Sequence, residues 1–183
     1  MPKRSLDVRK VTRLVNHGPT VLASSRHAER SNVITLAWAM PVSIDPPMIG
    51  IAVAPARFSH DLIARSGEFV VNIPGSNLLQ AVWYCGTASG RDGDKFEEAG
   101  LTEAPGSVVG APLVMECFGH AECRVVSAPI TGDHTLFVGE VVAASVESSA
   151  FDGHLRLRRP YHTLHHLGGS RFVTSAGTRL NAA

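Results

Sequence analysis

The stretch "VAPARFSHDLIARSG" carries the side chains best suited to chemistry. Arg57, Ser59 and His60 stand between an apolar strand and a helix start. A helix N-terminus presents unpaired N–H groups and roughly half a positive charge. Ser59 adds a hydroxyl, and Arg57 a planar fork matched to phosphate oxygens. The pattern suits a terminal phosphate, but it lacks the Gly-rich signature of nucleotide-binding loops. A plain strand-to-helix turn capped by Ser59 explains the same residues, so the local pattern leaves both readings open.

Other clusters invite similar questions. In "RSNVITLAWAMPVSIDPP", Asn32, Thr35 and Ser43 are polar groups on or beside buried-looking strands. Such groups need partners, either backbone or the polar edge of a ligand. In "ITGDHTLFVGEV", His134 follows Asp133 at a turn, which makes it a candidate proton handler or simply the surface start of a strand. "CFGHAEC" resembles a zinc half-site. On a continuous strand, however, Cys117 and Cys123 share an apolar face with Met115 and Val125, while His120 points the other way. Both Cys read as small core residues, Cys85 reads as packing, and no metal is expected. His165 and His166 are adjacent and diverge on any regular element. The Gly168–Gly169 pair after them permits close backbone approach to something, or makes a surface turn.

These side chains must be positioned by strands. Strand-like runs cover Thr20–Ser25, Val33–Met40, Met48–Ala54, Glu68–Pro74, Leu113–Ala128 and His134–Glu147. Gly139 marks a bend or bulge in the last of these. Helices are fewer. One has Ser59 as N-cap and Gly67 past its end, a second has Ser76 as N-cap and Gly86 as terminator, and "DKFEEAG" is a third. Leu101 to Pro112 reads as a loop. Strands and helices do not alternate, which argues against a doubly wound parallel sheet and for a barrel with a few short surface helices.

The 183 residues suit one domain. Hydrophobic residues are 44% and charged ones 18%, which speaks against disorder. A formal net charge of +1 gives no electrostatic reason for nucleic acid or an anionic membrane as partner. No apolar run approaches the roughly 18 residues of a membrane span. "MPKRSLDVRKVTRLVNHGP" has no apolar segment of a signal peptide. Three Cys without disulfide-like spacing fit a reducing cytoplasm. The tail "SAGTRLNAA" reads as frayed.

The order of the pieces "SNVITLAWAMPVSIDPPMIGIAV", "RFSHDLIARSGEFVVNIP", "DKFEEAGLT", "GAPLVMECFGHAEC", "GDHTLFVGEV" and "RPYHTLHHLGGSRFV" resembles the flavin reductase-like, FMN-binding split-barrel family, in the branch that includes flavoredoxin. The resemblance covers about residues 15–173 of a single 1–183 domain. It implies a mainly β fold, a six-stranded antiparallel split barrel with Greek-key features. It also implies a homodimer with FMN near the subunit interface. Arg57, Ser59 and His60 then match the positions that hold the FMN phosphate and neighbouring chain. Asn32 and Thr35 match those bonding the flavin or ribityl edge. Val42, Ser43 and Ile44 match the segment beside the isoalloxazine, and Ala52 and Val53 match backbone contacts. His134 matches a position near the flavin face or the nicotinamide. "HHLGG" lies near the site without showing which His approaches it, and Lys95 falls in "DKF" with no role assigned. The implied function is an NAD(P)H-dependent flavin oxidoreductase. The alternatives are a flavoredoxin-like electron carrier and a non-redox ligand-binding barrel. In such proteins the cofactor carries the chemistry, so no catalytic triad is needed.

Overall fold

The computed structural model describes residues 7–176. Most of the frayed-tail stretch, and the first six residues of the leading segment, lie outside the described residues. A 3-10 turn at Val8–Leu14 precedes β1 (Val21–His27), β2 (Arg30–Leu36), β3 (Ala39–Ser43) and β4 (Met48–Val53). Helix α1 (Phe58–Ser66) leads into β5 (Glu68–Ile73), and a 3-10 turn at Ser76–Leu78 opens α2 (Leu79–Thr87). Then follow α3 (Lys95–Glu98), β6 (Glu103–Ala104), β7 (Leu113–Val114), β8 (Gly119–Ser127), β9 (Ile130–Thr131) and β10 (His134–Val146). A last hairpin is formed by β11 (Leu164–Gly168) and β12 (Arg171–Thr174).

The main sheet runs β2-β1-β5-β8-β10-β4-β3, with β9 beside β10, and every pairing is antiparallel. Strands β2 and β3 sit at opposite ends of this path, yet only Ala37 and Trp38 separate them in the chain. The sheet must therefore curl until its ends approach. The Ala52 N–H donates to the Trp38 carbonyl at 3.0 Å, which extends the β3–β4 pairing into the connection. This is the antiparallel split barrel expected from the sequence, with seven strands in the path and β9 beside it rather than six.

Period two explains why β1 is buried on both faces. Val21 and Ala23 point into the barrel with Ile34, Leu36, Phe69, Val71 and Phe137. Leu22 points outward to a second cluster under α2 and α3, with Val33, Val82, Cys85 and Phe96. Ile63 of α1 reaches the barrel cluster.

Several local expectations need correction. The run Val33–Met40 is two strands, because the chain changes sheet end at Ala37–Trp38. The run Leu113–Ala128 is also broken: Cys117 N–H bonds the Val114 carbonyl in a turn. Cys117 therefore packs under α2 while Cys123 lies in the barrel, so the two do not share one strand face. His120 Nδ1 bonds Asn72 Oδ1 at 2.9 Å. The N-cap of α1 is Arg57, not Ser59, and no side chain caps it. Ser76 begins a 3-10 turn rather than capping α2, and Gly86 lies inside α2, not past it. A Cβ on Gly86 would meet the Thr35 side chain at 3.3 Å, which favours glycine there. The expected left-handed Gly67 (φ 69°) ends α1. The expected irregularity falls between Val138 and Gly139, where a Cβ would sit 2.7 Å from the Phe69 ring.

Between β6 and β7, the loop of 105–112 is pinned by a buried carboxylate. Burial alone would raise the Glu122 pKa, but Ser107 Oγ and the backbone N–H groups of Ser107, Val108 and Val109 donate to it and hold it at about 2. A depressed carboxylate stabilises the fold above its ordinary value and ceases to do so as pH falls towards the folded value. Glu122→Gln should therefore lower stability near pH 7 by roughly 3 kcal/mol. Urea unfolding should show this deficit shrinking between about pH 4.5 and about pH 2. A deficit constant across that range would show that the charge is not the stabilising element.

Candidate functional site

Two connected cavities open where the sheet ends meet. The smaller, of about 50 Å3, is lined by Asn32, Arg57, Ser59, Gly90 and Lys95 among others. The larger, of about 340 Å3, is lined by Thr35, Trp38, Ala52, Val53, His134 and His166 among others. Ile34, Arg57 and Gly86 border both. Neither lining contains a carboxylate, whereas Arg13, Arg57 and Lys95 are all present.

The small cavity is built by three elements. Asn32 of β2 donates from Nδ2 to Ser59 Oγ at 2.7 Å, and both residues are buried. Ser59 thus serves as acceptor there, and its own O–H remains a donor. Lys95 of α3 is only 4% exposed. Its Nζ donates to the Val33 carbonyl at 3.0 Å and the Cys85 carbonyl at 2.6 Å. An ammonium has three donors, so one remains beyond these two. No carboxylate pairs with Lys95 among the described residues. Burial lowers its pKa, and the Arg57 guanidinium pushes it the same way. A bound anion would relieve both effects.

The roof of this cavity is the loop after α2. Arg30 donates from Nη2 to the Gly90 carbonyl at 3.0 Å, and Arg91 pairs with Asp61 of α1. The guanidiniums of Arg30 and Arg91 lie 5.1 and 5.2 Å from the centroid of the Phe58 ring.

The large cavity runs along the unpaired edge of β2. Because the Val33 carbonyl points out to Lys95, antiparallel alternation places the Thr35 backbone on the same free edge. The Thr35 hydroxyl bonds the Val82 carbonyl and is not turned to a ligand. The His134 and Trp38 rings stand 4.8 Å apart at 41°. The exposed Asp133 accepts from His134 Nδ1 at 2.7 Å, which leaves Nε2 as the acceptor nitrogen. That hydrogen bond lowers the Asp133 pKa.

Of the candidates from sequence, Asn32, Arg57 and Ser59 meet at the small cavity, and Thr35, Ala52, Val53, Arg57 and His134 at the large one. The Ala52 N–H is already engaged by Trp38. His60 does not line either cavity; its Nε2 bonds Thr135 Oγ1 at 2.9 Å and its ring packs on Phe137. Val42, Ser43 and Ile44 also lie outside both, on the β3 hairpin, with Ile44 95% exposed. His166 lines the large cavity, whereas His165 bonds the His17 carbonyl and Thr163. Gly168 makes its close approach to the Arg13 guanidinium. Trp38 and Arg13 were not legible as lining residues, and "HHLGG" signalled His166 only as one of two adjacent His. "DKF" was the one available signal for Lys95.

The family model described as "Flavin reductase like domain" matches residues 12–165. The chain belongs to that family. It is 40% identical to the Escherichia coli protein YddH over 97% of this chain and 96% of that one. It is 28% identical to an NADH:riboflavin 5'-phosphate oxidoreductase of Streptomyces pristinaespiralis, over 79% of each chain. Among solved structures it is similar to the flavoredoxin of Desulfovibrio vulgaris (Miyazaki F), with TM-score 0.87, 27% identity, and 99% and 97% of the two chains covered. The basic, carboxylate-free end of this flavin reductase-like fold is thus joined to an aromatic cavity beside a free strand edge.

The lowered Lys95 pKa yields a sign test on the ligand-free protein. The folded chain releases this proton at lower pH than the unfolded chain, so the burial penalty is present below the folded pKa and fades as pH rises towards about 10.5. The melting temperature of the wild type should therefore rise relative to Lys95→Met as pH increases through the alkaline range below 10.5. A relative fall over that interval would show that Lys95 is not destabilised by burial.

Proposed function

We propose that this protein is an FMN-binding oxidoreductase that takes electrons from NAD(P)H and passes them to free flavin, a partner or another acceptor. One observation carries the reading: a basic pocket with no carboxylate opens into a cavity lined by Trp38, His134 and His166. The donor set fits FMN, with a dianionic phosphate at one end and a planar ring at the other. The description of the Streptomyces relative supports the donor. When bound, FMN supplies the hydride and single-electron chemistry.

The chain's own residues then have distinct tasks. Arg57, Lys95 and Ser59, with the N–H groups that open α1, hold the phosphate. The Thr35 backbone on the free edge of β2 bonds the polar rim of the ring. Trp38 and His166 exclude water from the ring cavity. His134, oriented by Asp133, can take a proton at Nε2. Three buried, unpaired thiols accord with a cytoplasmic setting. The similarity to a flavoredoxin favours a second reading, a carrier that keeps FMN and is reduced by a partner protein. Rapid NADH or NADPH oxidation with added FMN or riboflavin selects the first; none under anaerobic titration selects the second.

Arg57→Ala combined with Lys95→Met should weaken FMN on the order of a hundredfold, each charge-assisted bond being worth about 1.5–3 kcal/mol. Riboflavin, which has no phosphate, should lose little. Paired fluorescence titrations check this, and equal losses would mean that the phosphate is held elsewhere.

A homodimer completes the proposal. Val11, Leu14, Val15, Met40, Val42 and Ile44 are exposed apolar side chains, and a second copy packed on the β3 hairpin would cover part of that surface. Sedimentation should give a dimer at micromolar concentration, and Ile44→Glu should shift it to monomer. A wild-type monomer that retains FMN would reject the arrangement.

A further inference from the structure

The chain between β10 and β11 is fastened at its base. The Tyr161 hydroxyl donates to Glu147 Oε2 at 2.7 Å and accepts from Ser149 Oγ at 2.6 Å. Its ring meets Phe118 edge to face at 5.4 Å, and Ala150 is buried in the same cluster. The Arg156 N–H donates to the Ala150 carbonyl at 2.8 Å, and Phe151 bridges Leu155 across the turn between them. Asp152 pairs with Arg156 at 2.6 Å inside that turn.

The outer surface of this fastened loop is uncovered. Phe151, Leu155 and Leu157 are 45%, 37% and 43% exposed. Exposed His154, Arg158 and Arg159 stand among them. No carboxylate pairs with Arg158 or Arg159 among the described residues. Residues 151–160 hold three Arg and one Asp, a net +2 in a chain whose total is +1, so all other residues together sum to −1. Large apolar side chains held out of the core mark an interaction surface, and arginine with aromatic and aliphatic anchors is the usual composition of one.

We propose that this loop is the docking surface for a protein partner that presents carboxylates interleaved with apolar side chains. Unpaired guanidiniums call for carboxylates, which would also steer the encounter. The alternation of the loop favours a protein over a lipid surface. Leu155 and Leu157 flank Arg156, so entering hydrocarbon would drag the Asp152–Arg156 pair in with them. A second copy meeting it loop to loop would set Arg against Arg. Six residues separate Pro160 from His166, a span of at most about 22 Å, so the partner would sit beside the large cavity that His166 lines. That the partner exchanges electrons rests on the flavin reading of that cavity. The docking itself does not.

The probe is a rhodamine-labelled peptide in which glutamates flank two leucines, titrated by anisotropy against the full chain with and without saturating FMN. Saturable binding is expected in both states. Arg158→Glu combined with Arg159→Glu should weaken it about tenfold, and Leu155→Ser combined with Leu157→Ser several-fold. An all-glutamate peptide of equal length should bind several-fold more weakly than the mixed one. Arg65→Glu, an exposed charge reversal at the end of α1, should change nothing. No saturable binding, or equal losses from Arg65→Glu and the loop reversals, would overturn the proposal. So would phosphatidylserine vesicles that bind the loop while the peptide does not, which would assign it to a membrane. A dimer that the Leu155→Ser and Leu157→Ser pair converts to monomer would overturn it as well, by showing that a second copy covers the loop. Peptide binding that persists where FMN fails to bind would leave the docking surface standing and remove the flavin reading.

Discussion

The two-residue join between β2 and β3 is the constraint on which the rest of the structure depends. Both ends of a seven-strand path are tied by Ala37 and Trp38, so the sheet has no freedom to lie flat. Curling turns one side of the sheet into a closed apolar interior. It also leaves the outer edge of β2 without a strand partner, beside the join. An unpaired edge is ordinarily a liability, because its N–H and C=O groups seek partners. Here α2 and α3 cover part of it, and Lys95 satisfies the Val33 carbonyl. The uncovered remainder borders the large cavity. The same geometric necessity thus makes the core and the site.

Much of this was written in local pattern. Alternation and β-branched runs marked the strands, and Gly67 and Gly139 marked a helix end and a bulge for steric reasons that hold at any position in any chain. The site was legible where residues adjacent in sequence are adjacent in space, as with Arg57 and Ser59. What pattern could not show was where a strand changes partner. Nothing in the composition of "VITLAWAM" says that Leu36 belongs to one end of the sheet and Ala39 to the other. The break at Cys117 was hidden in the same way, since its apolar neighbours suit a turn in the core as well as a strand. Lys95 was hidden by its type, because a lysine is normally solvated. Only the convergence of β2, α2 and α3 shows that it is enclosed.

The buried polar groups divide into two kinds. Glu122 and Asn72 are surrounded by donors or acceptors from the chain itself and fix loops to the barrel. Lys95, Thr20 and Ser25 are not fully matched by the chain. Folding consistency across levels is broken at such places, and at Lys95 the break borders the basic pocket.

The roof over the basic pocket has a consequence for kinetics. It is fastened by contacts at the surface: the Arg91–Asp61 pair and two guanidiniums stacked on Phe58. An exposed ion pair is worth about 0.2–1 kcal/mol and weakens as mobile ions screen it. The pocket floor, with its buried ammonium, is screened far less. Ionic strength therefore acts on the door more than on the seat. An anion held in this pocket would then exchange faster as salt loosens the loop, while its hold on Lys95 would change little. Residence time and affinity at this end of the molecule become separately adjustable quantities.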